Sequence, residues 1–211
     1  MINLKLVFIA PLIFLGSCSF VSFSDAIPLF KAAVLSPPKI EISEEEFNSR
    51  TYSFIVAQFE DGPGAIMTLS NVADNGVLEW VSADSQLIYT RNGKVISTYG
   101  LQHDIQYLGW AGFNWEDPSN YPTKRLINLR NPDALAELNV SLQVMPGSDL
   151  VLQFETIAAS KLLKETIKIE LLKWQAENTY WLNDQGLTRK TIQTLHPKLP
   201  PLTIEFFYVF S

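Results

Sequence analysis

The sequence predicts a single, mainly β domain, an antiparallel β-meander that forms a half-barrel or a sandwich, with a short N-terminal helix. Short runs rich in β-branched and aromatic residues recur from residue 51 onward, separated by Gly, Pro, Asn and Asp. Of 211 residues 47% are hydrophobic and 18% charged, which suffices for a packed core. One domain is expected, because chains divide mainly above roughly 250 residues.

Residues 1–17 have the composition of an export signal. They contain one cation, Lys5, and an apolar run from Leu6 to Leu15. That run is too short to cross a bilayer, which needs about 20 residues. We therefore expect a cleaved signal peptide.

The end of this run, Leu15-Gly-Ser-Cys18, resembles the lipobox of bacterial lipoproteins. The resemblance implies cleavage before Cys18, with diacylglycerol on its sulfur and an acyl chain such as palmitate on its amino group. No other cofactor is expected. The alternative is a secreted protein cut after Ser24 or Ala26, with Cys18 discarded.

Ser19 bears on the destination of such a lipoprotein. It is not the aspartate that retains lipoproteins in the inner membrane of enterobacteria. The resemblance therefore implies the inner leaflet of the outer membrane, with the protein facing the periplasm. Residues 18–42 would be a lipidated tether and residues 43–211 the β-rich periplasmic domain.

The first element after the tether is a short helix over residues 44–50. Ser43 and Glu46 have the spacing of a capping box, in which each side chain bonds the other residue's amide. Acids in the first turn and Arg50 at the end suit the helix dipole.

The strands form two predicted sets. These are 52–59, 65–72, 77–81, 86–90 and 94–99, followed by 138–144, 150–157, 166–175, 179–182, 187–195 and 203–210. Asn92-Gly93 lies between two of them and predicts a two-residue hairpin, because both central residues of a type I′ turn need positive φ. Residues 158–173 fit helical and strand periods, and we expect a loop or helical turn followed by a strand.

Residues 102–137 lack a period and are rich in aromatic and polar side chains, which is typical of a functional excursion. Such side chains could stack on sugars and hydrogen-bond hydroxyls. The candidate sugar-binding residues are Asp104, Trp110, Trp115, Tyr121 and Arg125. The alternative is that these aromatic residues plug one end of the β-structure.

Common catalytic signatures are absent from the sequence, which has no nucleophile elbow, phosphate-binding loop or zinc-protease motif. We expect no catalytic residue. His103 and His196 are far apart in sequence and do not predict a metal site. The net charge of −6 argues against a nucleic-acid partner.

Two stretches carry more distinctive residues. They are Trp80-Val-Ser-Ala-Asp84 with Thr90-Arg-Asn-Gly-Lys-Val-Ile96, and Asn178-Thr-Tyr-Trp181 with His196-Pro-Lys-Leu-Pro-Pro201. Both resemble the group 4 capsule polysaccharide lipoprotein family, of the GfcB/YjbF type. The resemblance implies a β-rich outer-membrane lipoprotein without established catalytic residues, encoded with capsule or exopolysaccharide secretion machinery. Its expected partners are the outer membrane, secretion proteins and a polysaccharide.

The leading hypothesis is thus a non-enzymatic accessory factor in capsule or exopolysaccharide assembly or export. A second hypothesis is a half-barrel carrier or chaperone that binds a lipid or a lipoprotein chain. A third is a polysaccharide hydrolase that uses Asp104, Glu116 or Asp117.

Overall fold

The computed structural model describes residues 40–60, 62–109, 115, 121–157 and 161–209. The predicted signal peptide, Cys18, Trp110, Glu116 and Asp117 lie outside these residues. Within the described ranges, no helix has the length and apolar character needed to span a membrane.

Twelve strands of the described residues form one closed antiparallel barrel. The elements are α1 (Glu44–Ser49), β1 (Phe54–Phe59), β2 (Gly64–Val72), β3 (Leu78–Ser82), β4 (Leu87–Arg91), β5 (Lys94–Tyr99), β6 (Ile105–Leu108), β7 (Lys124–Leu129), β8 (Ala134–Pro146), β9 (Leu150–Val151), β10 (Thr156–Ile157), β11 (Lys161–Ile169), β12 (Trp174–Leu182), β13 (Thr188–Gln193) and β14 (Leu202–Phe207). Successive strands are neighbours throughout the barrel, and β9 and β10 form a separate hairpin between β8 and β11.

The prediction of a half-barrel or sandwich is wrong, because the first and last strands pair with each other. β1 and β14 are antiparallel in a register that runs from Phe54 opposite Phe207 to Phe59 opposite Leu202. Hairpin signals specify pairing between strands adjacent in sequence. Closure depends on pairing between the two ends of the domain, and a local sequence pattern does not predict that pairing.

Side chains alternate between the barrel interior and its outer face, as the pleat of a strand requires. On β1, Ile55 and Ala57 belong to the interior core, whereas Phe54 and Val56 face outward. The interior is filled by large side chains that are completely buried, including Trp80, Tyr180 and Phe206.

The outward apolar residues of β1 and β14 are covered by a second layer, called here the outer cluster. Its buried members are Ile42, Phe54, Val56, Leu150, Leu152 and Phe207. Phe47 of α1 stacks on Phe154, in the connection between β9 and β10, with ring centroids 4.4 Å apart. Helix and hairpin together therefore shield the seam where the barrel closes.

Helix α1 lies where the sequence predicts it, with half of the predicted capping box. The Ser43 hydroxyl accepts from the Glu46 amide at 3.1 Å. The Glu46 carboxylate instead accepts from the Arg50 guanidinium at 2.5 Å, because the two side chains are four residues apart on one face of the helix.

Residues 158–173 fit both helical and strand periods in sequence. In the structure they form strand β11 from Lys161, the first of them that is described. β11 pairs over its whole length with β12, and over nearly all of it with β8. In the described part of this stretch, from residue 161 onward, helical geometry is limited to one 3-10 turn, Glu170–Leu172.

Because strand directions alternate, the connections lie at two ends of the barrel. The loop end holds the β5–β6 and β13–β14 connections, where His103 and His196 stack with ring centroids 4.8 Å apart. The hairpin end holds Asn92-Gly93 and the long β6–β7 connection.

Candidate functional site

A buried carboxylate lies in the barrel interior. Glu165 is completely buried and accepts hydrogen bonds from Lys94 Nζ at 2.6 Å, Tyr180 at 2.7 Å and Asn178 at 2.9 Å. The Tyr121 hydroxyl donates to the other carboxylate oxygen. We call these five residues the polar centre.

Strands from separate parts of the barrel bring the polar centre together, since β6, β7 and β8 lie between β5 and β11. Lys94 is the first residue of β5, directly after the Asn92-Gly93 turn. Glu165 lies mid-way along β11 at an inward position, directly opposite Asn178 on β12. The hairpin and the β11–β12 register therefore set the ion pair.

Gln193 extends the network to the hairpin. Its side-chain amide donates to the Gly93 carbonyl at 2.9 Å and its oxygen accepts from the Val95 amide at 3.0 Å. The Tyr180 hydroxyl, whose proton is donated to Glu165, also lies 3.3 Å from the Gln193 side-chain oxygen. Backbone groups at the hairpin end are thus satisfied by a buried side chain.

The surroundings of Glu165 favour its charged form. Burial alone raises the pKa of a carboxyl group, but the Lys94 ammonium and the hydrogen bonds from Lys94, Tyr121 and Asn178 outweigh burial and lower the pKa of Glu165 to about 2. Burial lowers the pKa of Lys94, and the Glu165 carboxylate opposes that effect.

Three tyrosines around the carboxylate keep their protons. Burial, followed by the negative charge of Glu165, raises the pKa of Tyr107, Tyr121 and Tyr180. Lys94 Nζ lies 5.0 Å from the centre of the Tyr107 ring, which suits a cation–π contact.

Three of the predicted sugar-binding residues lie together, with Tyr121 in the polar centre and Trp115 and Arg125 next to it. Trp115 and Tyr121 belong to the interior core, and Trp115 Nε1 donates to the Asn92 carbonyl at 2.6 Å. Trp115 packs on Tyr180 at 4.8 Å, and the Arg125 guanidinium lies 4.8 Å above the Tyr121 ring. The protein itself thus occupies faces of these aromatic rings. Their role in sugar binding stays a prediction.

Asp104 lies elsewhere, in the β5–β6 connection at the loop end. Its carboxylate accepts from the Thr98 hydroxyl at 2.8 Å and from the amides of Gly100 and Leu101 at 3.0 and 3.1 Å. These three bonds give Asp104 a structural task in the turn. The structure therefore separates it from the other described candidates.

The sequence analysis missed the polar centre apart from Tyr121. One signal could have found Glu165, since it has the same alternation as Leu163 and Ile167 on β11. A charged residue at a core position requires a partner. The identity of the partner, Lys94, depends on a contact across 71 positions, which no local pattern provides.

The hydrogen bonds of the polar centre hold several elements of the barrel together. The Glu165 carboxylate is enclosed by donors from β5, β12 and the segment before β7. Among the described residues, no group of three or more His, Cys, Asp or Glu side chains could hold a metal ion. Stacked His103 and His196 form a pair only, in which burial and then the charges of His103 and Lys198 lower the pKa of His196.

Comparison with known proteins agrees with this architecture. The crystal structure of the hypothetical lipoprotein YmcC from Escherichia coli K12 superposes with a TM-score of 0.65 at 16% identity, covering 87% of this chain and 93% of that chain. The uncharacterized lipoprotein YjbF of Escherichia coli K12 is 20% identical over 176 residues, which are 77% of this chain and 78% of the relative. Residues 28–207 match the family described as "Group 4 capsule polysaccharide lipoprotein gfcB, YjbF". The resemblance inferred from the sequence motifs is confirmed, and the chain belongs to the group 4 capsule polysaccharide lipoprotein family.

Proposed function

We propose that this protein is a non-enzymatic accessory factor in the assembly or export of a surface polysaccharide, held at the periplasmic face of the outer membrane. The observation that carries the proposal is the family match over residues 28–207. The family comprises lipoproteins associated with capsule polysaccharide, which indicates a membrane-anchored envelope protein.

The chemistry of the barrel interior supports a role without catalysis. A general acid or base must reach a substrate proton within hydrogen-bond distance. Glu165 is fully buried, and its oxygens already accept from Lys94, Tyr121 and Tyr180. Asp104 is similarly engaged in its turn.

A lipid carrier of the half-barrel type is not supported. Such a carrier needs an open apolar cavity of acyl-chain size. The described strands instead close on themselves, and Trp80, Tyr180 and Phe206 fill the interior.

Membrane attachment is assigned to Cys18. Its diacylglycerol and amide-linked acyl chain together provide the two lipid signals that stable anchoring requires, at about 0.8 kcal/mol per buried methylene. Removal of this thiol should therefore release the protein or leave its signal uncleaved.

The test is a deletion strain complemented with wild type, Cys18→Ala or Ser17→Ala. Ser17→Ala is the matched control, since it changes the neighbouring residue but keeps it small. Surface polysaccharide should fall in the deletion strain and return with wild type and Ser17→Ala only. Fractionation of the membranes should show wild type in the outer membrane.

Two outcomes contradict the proposal. Unchanged surface polysaccharide in the deletion strain would exclude the role in export. A cleaved Cys18→Ala protein that still fractionates with the outer membrane would exclude the anchoring mechanism.

A further inference from the structure

The barrel wall has a weak seam between β5 and β6. These strands share a single register pair, Ser97 opposite Gln106. On its other side β6 is paired along its whole length with β7, from Ile105 opposite Leu129 to Leu108 opposite Leu126. The two strands at this seam therefore diverge.

A side-chain hydrogen bond links the two strands beside their single register pair. The Ile105 amide donates to the Thr98 hydroxyl at 3.0 Å, and that hydroxyl donates to the Asp104 carboxylate at 2.8 Å. The backbone amide of β6 is thus satisfied by a side chain of β5. The opening is part of the bonded structure.

A surface groove of about 700 Å³ lies along this seam. Its lining includes Leu87, Tyr89, Tyr99, Gln106, Tyr107 and Arg130. Tyr99 is 67% exposed. Tyr89 is held by Glu79, which lies directly opposite it on β3 and bonds to its hydroxyl. Burial and this bond raise the pKa of Tyr89.

The groove lining carries one charge of each sign, of which the positive one is a hydrogen-bond donor available to a ligand. Among the described residues that line it, the charged ones are Asp104 and Arg130. The Asp104 carboxylate is engaged by three donors of its own turn. Arg130 is exposed, and its backbone amide bonds to the Asp104 carbonyl at 3.0 Å, so its position follows that of the turn.

We propose that this groove binds an extended glycan chain that carries carboxylates. Tyrosine rings provide flat apolar faces on which pyranose rings stack, with hydroxyls that take part in hydrogen bonds. Arg130 provides the planar guanidinium that pairs with a uronate carboxylate. Gln106 and Ser97 provide neutral polar groups at the seam for sugar hydroxyls.

The net charge of the protein is compatible with such a ligand. The chain carries −6 overall, which disfavours a polyanion at long range. At physiological ionic strength that repulsion is screened beyond about 8 Å. Among the described residues that line the groove, Arg130 is the cation within reach of a bound carboxylate.

The experiment measures direct binding to the full-length lipoprotein in detergent. The probes are oligogalacturonate, in which every sugar carries a carboxylate, and a neutral cello-oligosaccharide of equal length, each titrated by calorimetry. The variants are Tyr99→Ala and Arg130→Ala. The matched controls are Tyr52→Ala, a tyrosine 45% exposed outside the groove, and Lys124→Ala, a cation with a 66% exposed side chain.

Wild type should bind oligogalacturonate more tightly than the neutral chain. Arg130→Ala should raise the Kd for oligogalacturonate about tenfold and leave the neutral chain nearly unchanged. Tyr99→Ala should weaken both probes about fivefold. The two controls should match wild type, and the thermal unfolding of all variants should confirm folding.

The inference is overturned if wild type binds neither probe, if the groove variants bind as wild type does, or if Arg130→Ala weakens both probes equally. Arg130→Lys keeps the positive charge at this position and should restore part of the affinity for oligogalacturonate. This variant therefore distinguishes the loss of charge from the loss of side-chain volume.

The inference rests on the proposed function, and complementation separates the two. If deletion lowers surface polysaccharide but Tyr99→Ala and Arg130→Ala restore it fully, the groove inference fails and the proposed function stands. If deletion has no effect while the groove binds oligogalacturonate as expected, the proposed function fails and the binding site stands.

Discussion

At the scale of single residues, the stability of the barrel interior depends on the buried ion pair of Lys94 and Glu165. Each charge is deprived of water and compensated by the other. Removal of one partner leaves the other charged and unpaired, which typically costs about 3–5 kcal/mol, whereas apolar replacement of both is often close to neutral.

A double-mutant cycle tests this expectation. Lys94→Met and Glu165→Leu should each lower the free energy of unfolding by about 3–5 kcal/mol, and the double variant should lose much less than their sum. Urea unfolding provides the measurement. The control cycle uses exposed Lys164 and Glu177, 2.8 Å apart, whose coupling should stay below about 1 kcal/mol. Additive losses at the buried pair would contradict the assigned role.

The contribution of the Glu165 carboxylate to stability should depend on pH. The pKa of Glu165 is about 2 in the folded protein against 4.5 ordinarily, so its contribution to stability is complete above pH 4.5 and is lost as the pH falls toward 2. The contribution is on the order of 3 kcal/mol.

Comparison with Glu165→Gln isolates this effect, since glutamine resembles the protonated carboxyl. The difference in unfolding free energy between wild type and Glu165→Gln should be large at neutral pH and should shrink steadily below pH 4.5. A difference that is independent of pH would show that folding leaves the pKa of Glu165 unchanged, and a difference that shrinks as the pH rises above 4.5 would show that the carboxyl is protonated in the native barrel.

At the scale of elements, the β4–β5 hairpin is the part that the sequence predicts best. Asn92 and Gly93 have φ of 50° and 77°, as the predicted type I′ turn requires. Gly93 has a second constraint, because a Cβ there would clash with the side chain of buried Thr188.

Gly76 allows the two constraints on Gly93 to be separated. Its φ is also 77°, but a Cβ there would meet nothing within 4 Å. Gly76→Ala should cost only the left-handed backbone penalty of roughly 1–2 kcal/mol. Gly93→Ala should cost about 1–3 kcal/mol more from overpacking. Equal losses in thermal or urea unfolding would mean that Thr188 moves aside freely.

Local chemistry explains which elements were foreseen. The α1 helix and the Asn92-Gly93 hairpin follow from backbone preferences of a few residues. The prediction of strand β11 was ambiguous, because Leu162, Leu163 and Ile167 also fit a helical period. Its pairing with both β8 and β12 decides the outcome, and that pairing is tertiary.

At the scale of the whole molecule, closure is the feature that the sequence did not predict. The pairing of β1 with β14 joins the two ends of the domain. No sequence pattern in either strand identifies the other as its partner. The candidate site followed the same division. The prediction of an aperiodic excursion over 102–137 is wrong in part, because β6, β7 and the start of β8 lie in it. Trp115 and Tyr121 of this segment are buried in the interior core, whereas the contact between Lys94 and Glu165 depends on tertiary structure.

The barrel should exchange its amide hydrogens unevenly. β11 is paired on both sides along nearly all of its length, whereas β6 has one register pair with β5. Hydrogen exchange should therefore be at least about tenfold faster, on average, in β5 and β6 than in β11 and β12. Uniform protection around the barrel would contradict an open seam.

The path of residues 40–53 has a mechanical consequence. The Ile40 amide donates to Gln58 near the end of β1, and the chain then runs back along the outer cluster through α1 to the start of that strand. Tension applied from the N-terminal side would therefore unzip Ile40, Ile42 and α1 one contact at a time before any load reached β1. An anchored barrel built in this way can yield length under force while its closed wall stays intact.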